Sequence, residues 1–347
     1  MTKLNNWQTT YKELLDFIAA HPQISIDKSS ISIPRDVRDE FYQRFDAIRK
    51  AFVNDKYSAL PSEVEILSEQ YKRAEKEVRE LLKLDRIAMP IDLLNFLQSP
   101  RDGLMRAIYN SLFDLLQGKI TLDAFEQQAT RELQESTRDL FRLGYEFWVA
   151  LVVIKLLEPD KIYRVDLDPD EKAVLSELKE ISFGRQAHHA TIRLPEFVIH
   201  SRGINKYLAI KMGLAREIET YVAFQYGPLR RKRVTGDSSY ALDSRVMLIC
   251  SMAGSEEIPI IADLEKRSVA KPDLVIECAG QTELEDSAAF SQVKYRTDTL
   301  QPTFGTYLVS RDAIQQMTLL EPHDNIHPIA VGFDPSKLQS LVDKLAV

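Results

Sequence analysis

Apolar residues recur at helical spacing through the first half of the chain, on stripes that alternate with charged and polar positions. Stripes of this period are typical of amphipathic helices that cover a core. Pro34 and Pro61 each stand at a predicted helix start, where the missing N–H of proline costs least. The pattern predicts helices at 7–20, 34–52, 61–84, 90–116 with a break at 99–103, and 121–157.

The pattern changes after Glu158-Pro159-Asp160, where short apolar runs separated by turn residues replace the long stripes. Short runs of this kind are typical of strands, and the longer stripes between them are typical of covering helices. We therefore predict a helical domain at 1–160 and an α/β domain around a mixed sheet at 161–347. The predicted strands are 161–167, 190–200, 244–250, 258–264, 271–278, 288–296, 305–311 and 327–333, and the predicted helices are 170–181, 204–225 and 335–345.

Two consecutive predicted strands carry polar side chains in apolar surroundings. The first strand holds Asp273 and Glu277, and the second holds Gln292 and Lys294. Because side chains alternate across a strand, each pair shares one face, and a hairpin would bring all four to one sheet edge. A carboxylate and an amide oxygen can hold a hard cation such as Mg²⁺, and a nearby lysine can stabilise charge at a reacting phosphate.

The order of these residues resembles the PD-(D/E)XK nuclease superfamily. Pro272-Asp273 is followed, after 18 residues, by Gln292-Val293-Lys294. In that superfamily a strand bearing the Asp precedes a strand bearing (D/E)XK, and a QXK form occurs among modification-dependent and type IV restriction nucleases. The resemblance implies an α+β or α/β fold, with a restriction-endonuclease-like core flanked by helices at 161–347.

The same resemblance implies metal-assisted hydrolysis of a phosphodiester bond. Asp273 and Gln292 would hold Mg²⁺ or Mn²⁺, with Glu217 bound directly or through water. Glu277 would supply the negative charge that Gln292 lacks as a ligand. Lys294 would orient the attacking water or help to deprotonate it.

The superfamily usually has a helix with a metal-binding Glu before this sheet. The fragment 213–217, inside the predicted helix 204–225, is similar to the G-x-x-x-E of junction resolvases, which favours Glu217 and keeps Glu219 as the alternative. Both carboxylates are equally consistent with a solvated helix surface near Arg216.

A second candidate for the helical Glu is Glu146. Residues 143–148 are similar to the Tyr-Glu-x-Trp helix of some restriction-associated nucleases. About 125 residues separate Glu146 from Asp273, so the core would need a large insertion. The alternative is that Tyr145, Phe147 and Trp148 anchor a core while Glu146 is exposed or paired.

The helix that usually follows the lysine strand is missing at 297–305, which contains Pro302 and Gly305. We predict this helix after the next strand, at 312–318.

A basic run follows the helix predicted at 204–225 and precedes the strand predicted at 244–250. Its members are Arg230, Arg231, Lys232 and Arg233, in a chain whose formal net charge is −7. Nucleic-acid affinity depends on neutralising backbone phosphates, so the run is a candidate phosphate clamp. The alternative is a solvated loop. The acidic balance restricts any nucleic-acid contact to a local, salt-sensitive patch.

The composition bears on the redox compartment, the metal binding and the membrane contacts to be expected of this chain. Cys250 and Cys278 lie in apolar runs, which favours buried free thiols in a reducing cytoplasm over a disulfide. The chain has no CxxC or HExxH spacing, so its six histidines are expected to be structural or on the surface. The apolar run 147–157 is too short to span a bilayer and contains Lys155, and no signal peptide opens the chain. We expect a soluble cytoplasmic protein with no membrane partner.

Two functions remain open at this stage. The first is a Mg²⁺-dependent endonuclease that cleaves DNA, of the restriction or defence type. The second is a non-catalytic nucleic-acid-binding or interaction protein built on a decayed nuclease fold. The charge-rich helices 34–52 and 61–84 favour a projecting hairpin, so domain 1–160 is expected to bind a protein partner, contact DNA or form a homodimer. The helix 121–157 would join the two domains, with its apolar end packed on the second.

Overall fold

A computed structural model describes residues 6–57, 63–170, 172–182, 192–212, 246–263, 266, 268–280, 287–311 and 323–346. The fold is mixed, with helices concentrated in the first half and one large sheet in the second. The chain divides into two compact units, Met1–Glu69 with Pro90–Phe141 and Gln70–Met89 with Arg142–Val347. The division falls inside two helices and not at 158–160. No helix in the described part of the chain combines the length and the apolar character needed to cross a membrane.

Helices dominate the first unit, as predicted. Its rings form a close core, with Trp7 lying 5.4 Å from Phe52 and 5.2 Å from Phe125 between centroids. A two-stranded ribbon, β1 (Ser25–Ile26) with β2 (Ile31–Ser32), is its described sheet structure. The helices are α1 (Asn6–Ala20), α2 (Arg35–Tyr57), the start of α3 (Glu63–Leu82), α4 (Ile91–Gln98), α5 (Pro100–Leu104), a 3-10 turn at Met105–Ile108, α6 (Tyr109–Leu116) and the start of α7 (Leu122–Leu156).

An eight-stranded sheet forms the second unit. Its strands are β4 (Pro159–Leu167), β5 (Ala173–Glu177), β8 (Phe197–Ser201), β9 (Lys206–Met212), β10 (Val246–Met252), β13 (Leu274–Ala279), β14 (Thr306–Ser310) and β15 (Ile326–Ala330). Shorter strands are β3 (Arg86–Ala88), β6 (Glu180–Ser182), β7 (Ile192–Arg193), β11 (Ala262–Asp263) and β12 (Ser268–Val269). The helices are α8 (Ser287–Leu300), a 3-10 turn at Pro335–Leu338 and α9 (Gln339–Leu345).

The strand order in the large sheet is β15-β14-β13-β10-β9-β8-β4-β5. Neighbours are antiparallel from β5 through to β13, and β13, β14 and β15 are parallel to one another. A parallel pair needs a crossover connection, and α8 supplies it between β13 and β14. The sheet is therefore a long antiparallel region that ends in a parallel α/β edge.

The C-terminal part of α7 is buried on all sides from Leu143 to Ile154. A helix that is apolar all round is buried in a core, which agrees with the prediction for 147–157. Tyr145 and Trp148 anchor it, because the Tyr145 hydroxyl donates to the Gly332 carbonyl at 2.9 Å and both rings contact Phe333.

Segment 288–296, predicted as a strand, is helical and lies within α8. The prediction was wrong because the segment fits two periods at once. Phe290, Gln292 and Lys294 alternate as in a strand, whereas Phe290, Val293, Thr297 and Leu300 recur at helical spacing. The second set is the one that the fold buries.

Three further predictions are corrected. Residues 206–212, predicted as the start of a helix, form β9, because an apolar run buried on both faces gives no periodicity to tell helix from strand. Residues 173–177 and 180–182, predicted as a helix, form β5 and β6. Within 258–264, Ala262–Asp263 is the described strand. The predicted helices at 213–225 and 312–318 lie outside the described residues.

Candidate functional site

Asp273 lies directly before β13, at the amino end of that strand. Its side-chain oxygen accepts a hydrogen bond from the Ser251 amide, and its own amide donates to the Ile249 carbonyl at 2.9 Å. Burial raises the pKa of the neighbouring Cys250 thiol to about 12, and the charge of Asp273 adds to that shift. Asp273 thus holds the start of β13 to the carboxyl end of β10.

Glu277 shares the face of Asp273, as the alternation predicts, but the two do not meet. Four residues of strand separate their Cα atoms by about 13 Å. The Glu277 carboxylate is 3% exposed and accepts two hydrogen bonds from the Arg296 guanidinium of α8, one of them at 3.2 Å from Nε. Arg296 is itself 4% exposed, so this is a buried, two-point ion pair.

Gln292 and Lys294 do not form a strand face with these acids. Both lie on α8, where residues two apart point about 200° from one another. Gln292 is exposed and Lys294 is half-buried. The predicted hairpin is therefore absent, since β13 pairs with β10 and β14.

The described members of the predicted metal set do not fit one metal ion. Asp273 precedes β13 and Glu277 lies within it, Gln292 lies on a helix surface, and Arg296 already neutralises Glu277. Among the residues that the structure describes, no group of three or more His, Cys, Asp or Glu side chains could hold a metal. Glu217, its alternative Glu219, and the basic run of Arg230, Arg231, Lys232 and Arg233 lie outside the described residues.

Glu146, the second candidate for the helical Glu, lies against the central strands. It is 3% exposed on α7 and lines a cavity of ≈ 10 Å³ together with Met212, Val246, Ile276 and Cys278, among others. A space of that size holds about one water molecule and no substrate. Because Ile276 and Cys278 alternate with Glu277, the two glutamates lie on opposite faces of the sheet.

A second buried ion pair lies on the same face as Glu277. Lys211 Nζ is 3.7 Å from Glu196 Oε1, and the two side chains are 4% and 3% exposed. Lys211 and Val275 both stand opposite Leu248, so Lys211 shares a face with Val275 and Glu277. Sequence patterns gave no indication of either pair, because the partners are distant along the chain and meet only in the folded sheet.

His200 is a further residue that sequence reasoning left as structural or on the surface. Its Nδ1 is 2.7 Å from Asp160 Oδ1, and this hydrogen bond holds the pKa of Asp160 below its usual value. The pair lies at the amino end of β9, away from Glu277, beside a cleft of ≈ 520 Å³.

Comparisons with protein-family models, with curated proteins and with solved structures found nothing that matches this chain.

Proposed function

We propose that this chain is a nucleic-acid-binding protein, built on a nuclease-like scaffold, that does not hydrolyse phosphodiester bonds. The observation that carries the proposal is the buried pair of Glu277 with Arg296. Glu277 of this pair lies on β13, and the resemblance requires charged catalytic residues on that strand.

The order of elements supports a nuclease-like scaffold with a shifted motif. The resemblance implies two consecutive core strands followed by a helix, and here β10 pairs with β13, α8 follows, and β14 runs parallel to β13. If β13 takes the place of the lysine strand, then Glu277-Cys278-Ala279 stands where the superfamily has (D/E)XK. Ala279 offers no ammonium group.

The electrostatics support loss of catalysis. A carboxylate that accepts two hydrogen bonds from a buried guanidinium has its charge compensated inside the fold. Releasing it to a metal would leave Arg296 charged and buried, which is strongly unfavourable. The arrangement of Glu277, Asp273 and Gln292 therefore gives no support to the metal-assisted mechanism of the superfamily.

Support for nucleic acid comes from the basic run Arg230–Arg233. Four consecutive cations stand in the segment that joins Met212, the last residue of β9, to Val246, the first of β10. Clustered cations bind phosphates and release counterions, so a local patch suffices in an acidic chain.

A binding experiment with a cleavage readout tests this function. Labelled DNA duplex and single strand would be titrated with protein at several salt concentrations, with Mg²⁺ or Mn²⁺ present. We expect salt-dependent binding of intact DNA, which weakens and loses salt dependence when the four basic residues are replaced by Ala. A matched control replaces four exposed lysines of the second unit, Lys172, Lys179, Lys271 and Lys344, and should bind as the parent does.

The proposal extends to assembly and location. The charge-rich helices α2 and α3, which begin in the first unit, favour a homodimer or a protein partner there. Two buried cysteines, Cys250 and Cys278, favour the reducing cytoplasm. Sedimentation at micromolar concentration with and without DNA tests the dimer, and a monomer in both conditions would contradict it.

A further inference from the structure

Three aromatic rings lie side by side on one face of the large sheet, near its antiparallel end. Tyr163 of β4, His200 of β8 and Tyr207 of β9 share this face, since His200 stands opposite Tyr207 and Tyr163 stands opposite Val198, two residues from His200. The Tyr207 ring centroid is 4.8 Å from that of His200 and 6.2 Å from that of Tyr163. All three side chains are partly exposed.

A hydrogen bond and packing against buried side chains hold the rings in place. The hydrogen bond to Asp160 fixes the His200 imidazole, and the Tyr163 and Tyr207 rings pack against a buried cluster that includes Val198, Ala209 and Met252. Burial raises the pKa of Tyr163 to about 12, with the Tyr207 hydroxyl as the next contribution. The rings therefore form a surface that is held in one arrangement.

A cleft of ≈ 520 Å³ opens beside His200 and Tyr207, within the size range of ligand sites. The rest of its lining is Asn205, Lys206, Ser251, Met252, Ala253 and Gly254. These residues end β10 and begin β9, so side-chain and backbone polar groups converge at the edge of the aromatic surface.

Lys206 also lines the cleft, but it directly precedes Tyr207 in β9, so its side chain leaves the opposite face of the strand and not the aromatic face. Its ammonium donates to the Leu345 carbonyl at 3.2 Å, near the end of α9, and an ammonium has two more donors. Of the nearby carboxylates, Asp160 is paired with His200, and Asp273 accepts a hydrogen bond from the Ser251 amide. A phosphate at Lys206 therefore meets a positive charge that the end of α9 holds in place.

We infer that this cleft binds a nucleotide unit of an unpaired strand, with its base on Tyr207 and His200 and its phosphate at the end of the cleft where β9 begins, which Lys206 also lines. Every base has a π-face that stacks on aromatic side chains, and a lysine beside the stack neutralises the adjoining phosphate. A base paired inside a duplex does not expose that face. The inference rests on the proposed function, and it adds a preference for unpaired nucleic acid that depends on residues other than those of the basic run.

The test compares single-stranded DNA, single-stranded RNA, duplex DNA and a free mononucleotide by anisotropy and competition. Tyr207→Ala should weaken single-strand binding at least about fivefold, the lower end expected for the loss of one stacked base, and leave duplex binding unchanged. Val174→Ala, at an exposed apolar side chain on the other face of the sheet, is the control and should change neither. The two single strands distinguish DNA from RNA, and competition by the mononucleotide would indicate a free nucleotide as ligand.

A cross-linking arm locates the contact. An oligonucleotide with 5-iodouracil should cross-link, after irradiation, to a peptide that contains Tyr207, Tyr163 or His200. Unchanged single-strand affinity in Tyr207→Ala, with cross-links confined to other peptides, would overturn this inference while the proposed function stands. Loss of all binding in the basic-run variant, with Tyr207→Ala equal to the parent, would overturn it in the same way. Absence of binding to every nucleic acid would overturn both.

Discussion

Charged side chains are buried in pairs near one end of β9 and are partly exposed at the other end. Toward its carboxyl end, Lys211 and Glu196 form one ion pair and the neighbouring Glu277 and Arg296 form another, all nearly inaccessible to solvent. At its amino end, Lys206 and Tyr207 line an open cleft beside the Asp160–His200 pair. Charges that compensate each other in the interior hold a fold together, whereas partly exposed groups beside a cleft can reach a ligand. The carboxyl end of β9 is therefore structural, and its amino end is the one suited to binding.

The largest expected effect is at Arg296. Arg296→Ala leaves the Glu277 carboxylate buried without its guanidinium, and breaking such a pair costs about 3–5 kcal/mol in the free energy of unfolding. Urea denaturation measures the loss. The double replacement of Glu277 by Leu and Arg296 by Met should recover most of it, because both charges are removed together. A loss below about 1 kcal/mol in Arg296→Ala, the range of exposed pairs, would show that Glu277 is not held as a structural charge.

Two lysine-to-methionine variants compare the two ends of β9. Lys211→Met removes a buried cation from Glu196 and should cost about 3 kcal/mol or more of unfolding free energy. Lys206→Met removes one hydrogen bond to the Leu345 carbonyl and should cost about 1 kcal/mol, yet it should weaken single-strand binding. Equal stability losses, or no binding defect in Lys206→Met, would remove the distinction.

The sequence predicted the helices of the first unit well, because long stripes of one period have few alternative structures. It also predicted the buried strand at 271–278, most of which is β13. It failed at α8, where Phe290, Gln292 and Lys294 mimic a strand on one side of a helix whose buried residues repeat at 3–4. Because of that error, the segment predicted as the second strand of the motif is in fact part of α8.

The ion pairs could not be predicted for a different reason. Glu277 and Arg296 are 19 residues apart, and they meet only because α8 crosses over the strands that it connects. A local sequence pattern cannot predict a contact that arises only from the topology of the fold. Glu146 was within reach of sequence reasoning through the Tyr-Glu-x-Trp similarity, but its burial required the long helix to pack on strands more than 60 residues downstream.

The smallest expected effect is the pH dependence of the Asp160–His200 pair. The folded pKa of Asp160 is depressed, so its contribution to stability is present above the unfolded pKa and is lost as pH falls through the folded pKa. The unfolded pKa is about 3.9, which places the loss below about pH 4. The side chain is largely exposed, so solvent screening limits the effect to less than about 1 kcal/mol.

The variant Asp160→Asn tests this pH dependence. The stability difference between parent and variant, measured by denaturation from pH 7 to pH 3, should shrink toward the acid end. A difference that grows as pH falls would contradict the assigned sign.

The measurement that tests the central claim most directly is a time course of end-labelled duplex and single-stranded DNA with excess protein and Mg²⁺ or Mn²⁺, with bound and cleaved species resolved on native and denaturing gels. We predict complexes that dissociate with rising salt and yield full-length DNA at every time. Metal-dependent cleavage that Asp273→Asn or Lys294→Ala abolishes, in variants that bind and melt as the parent does, would contradict the account.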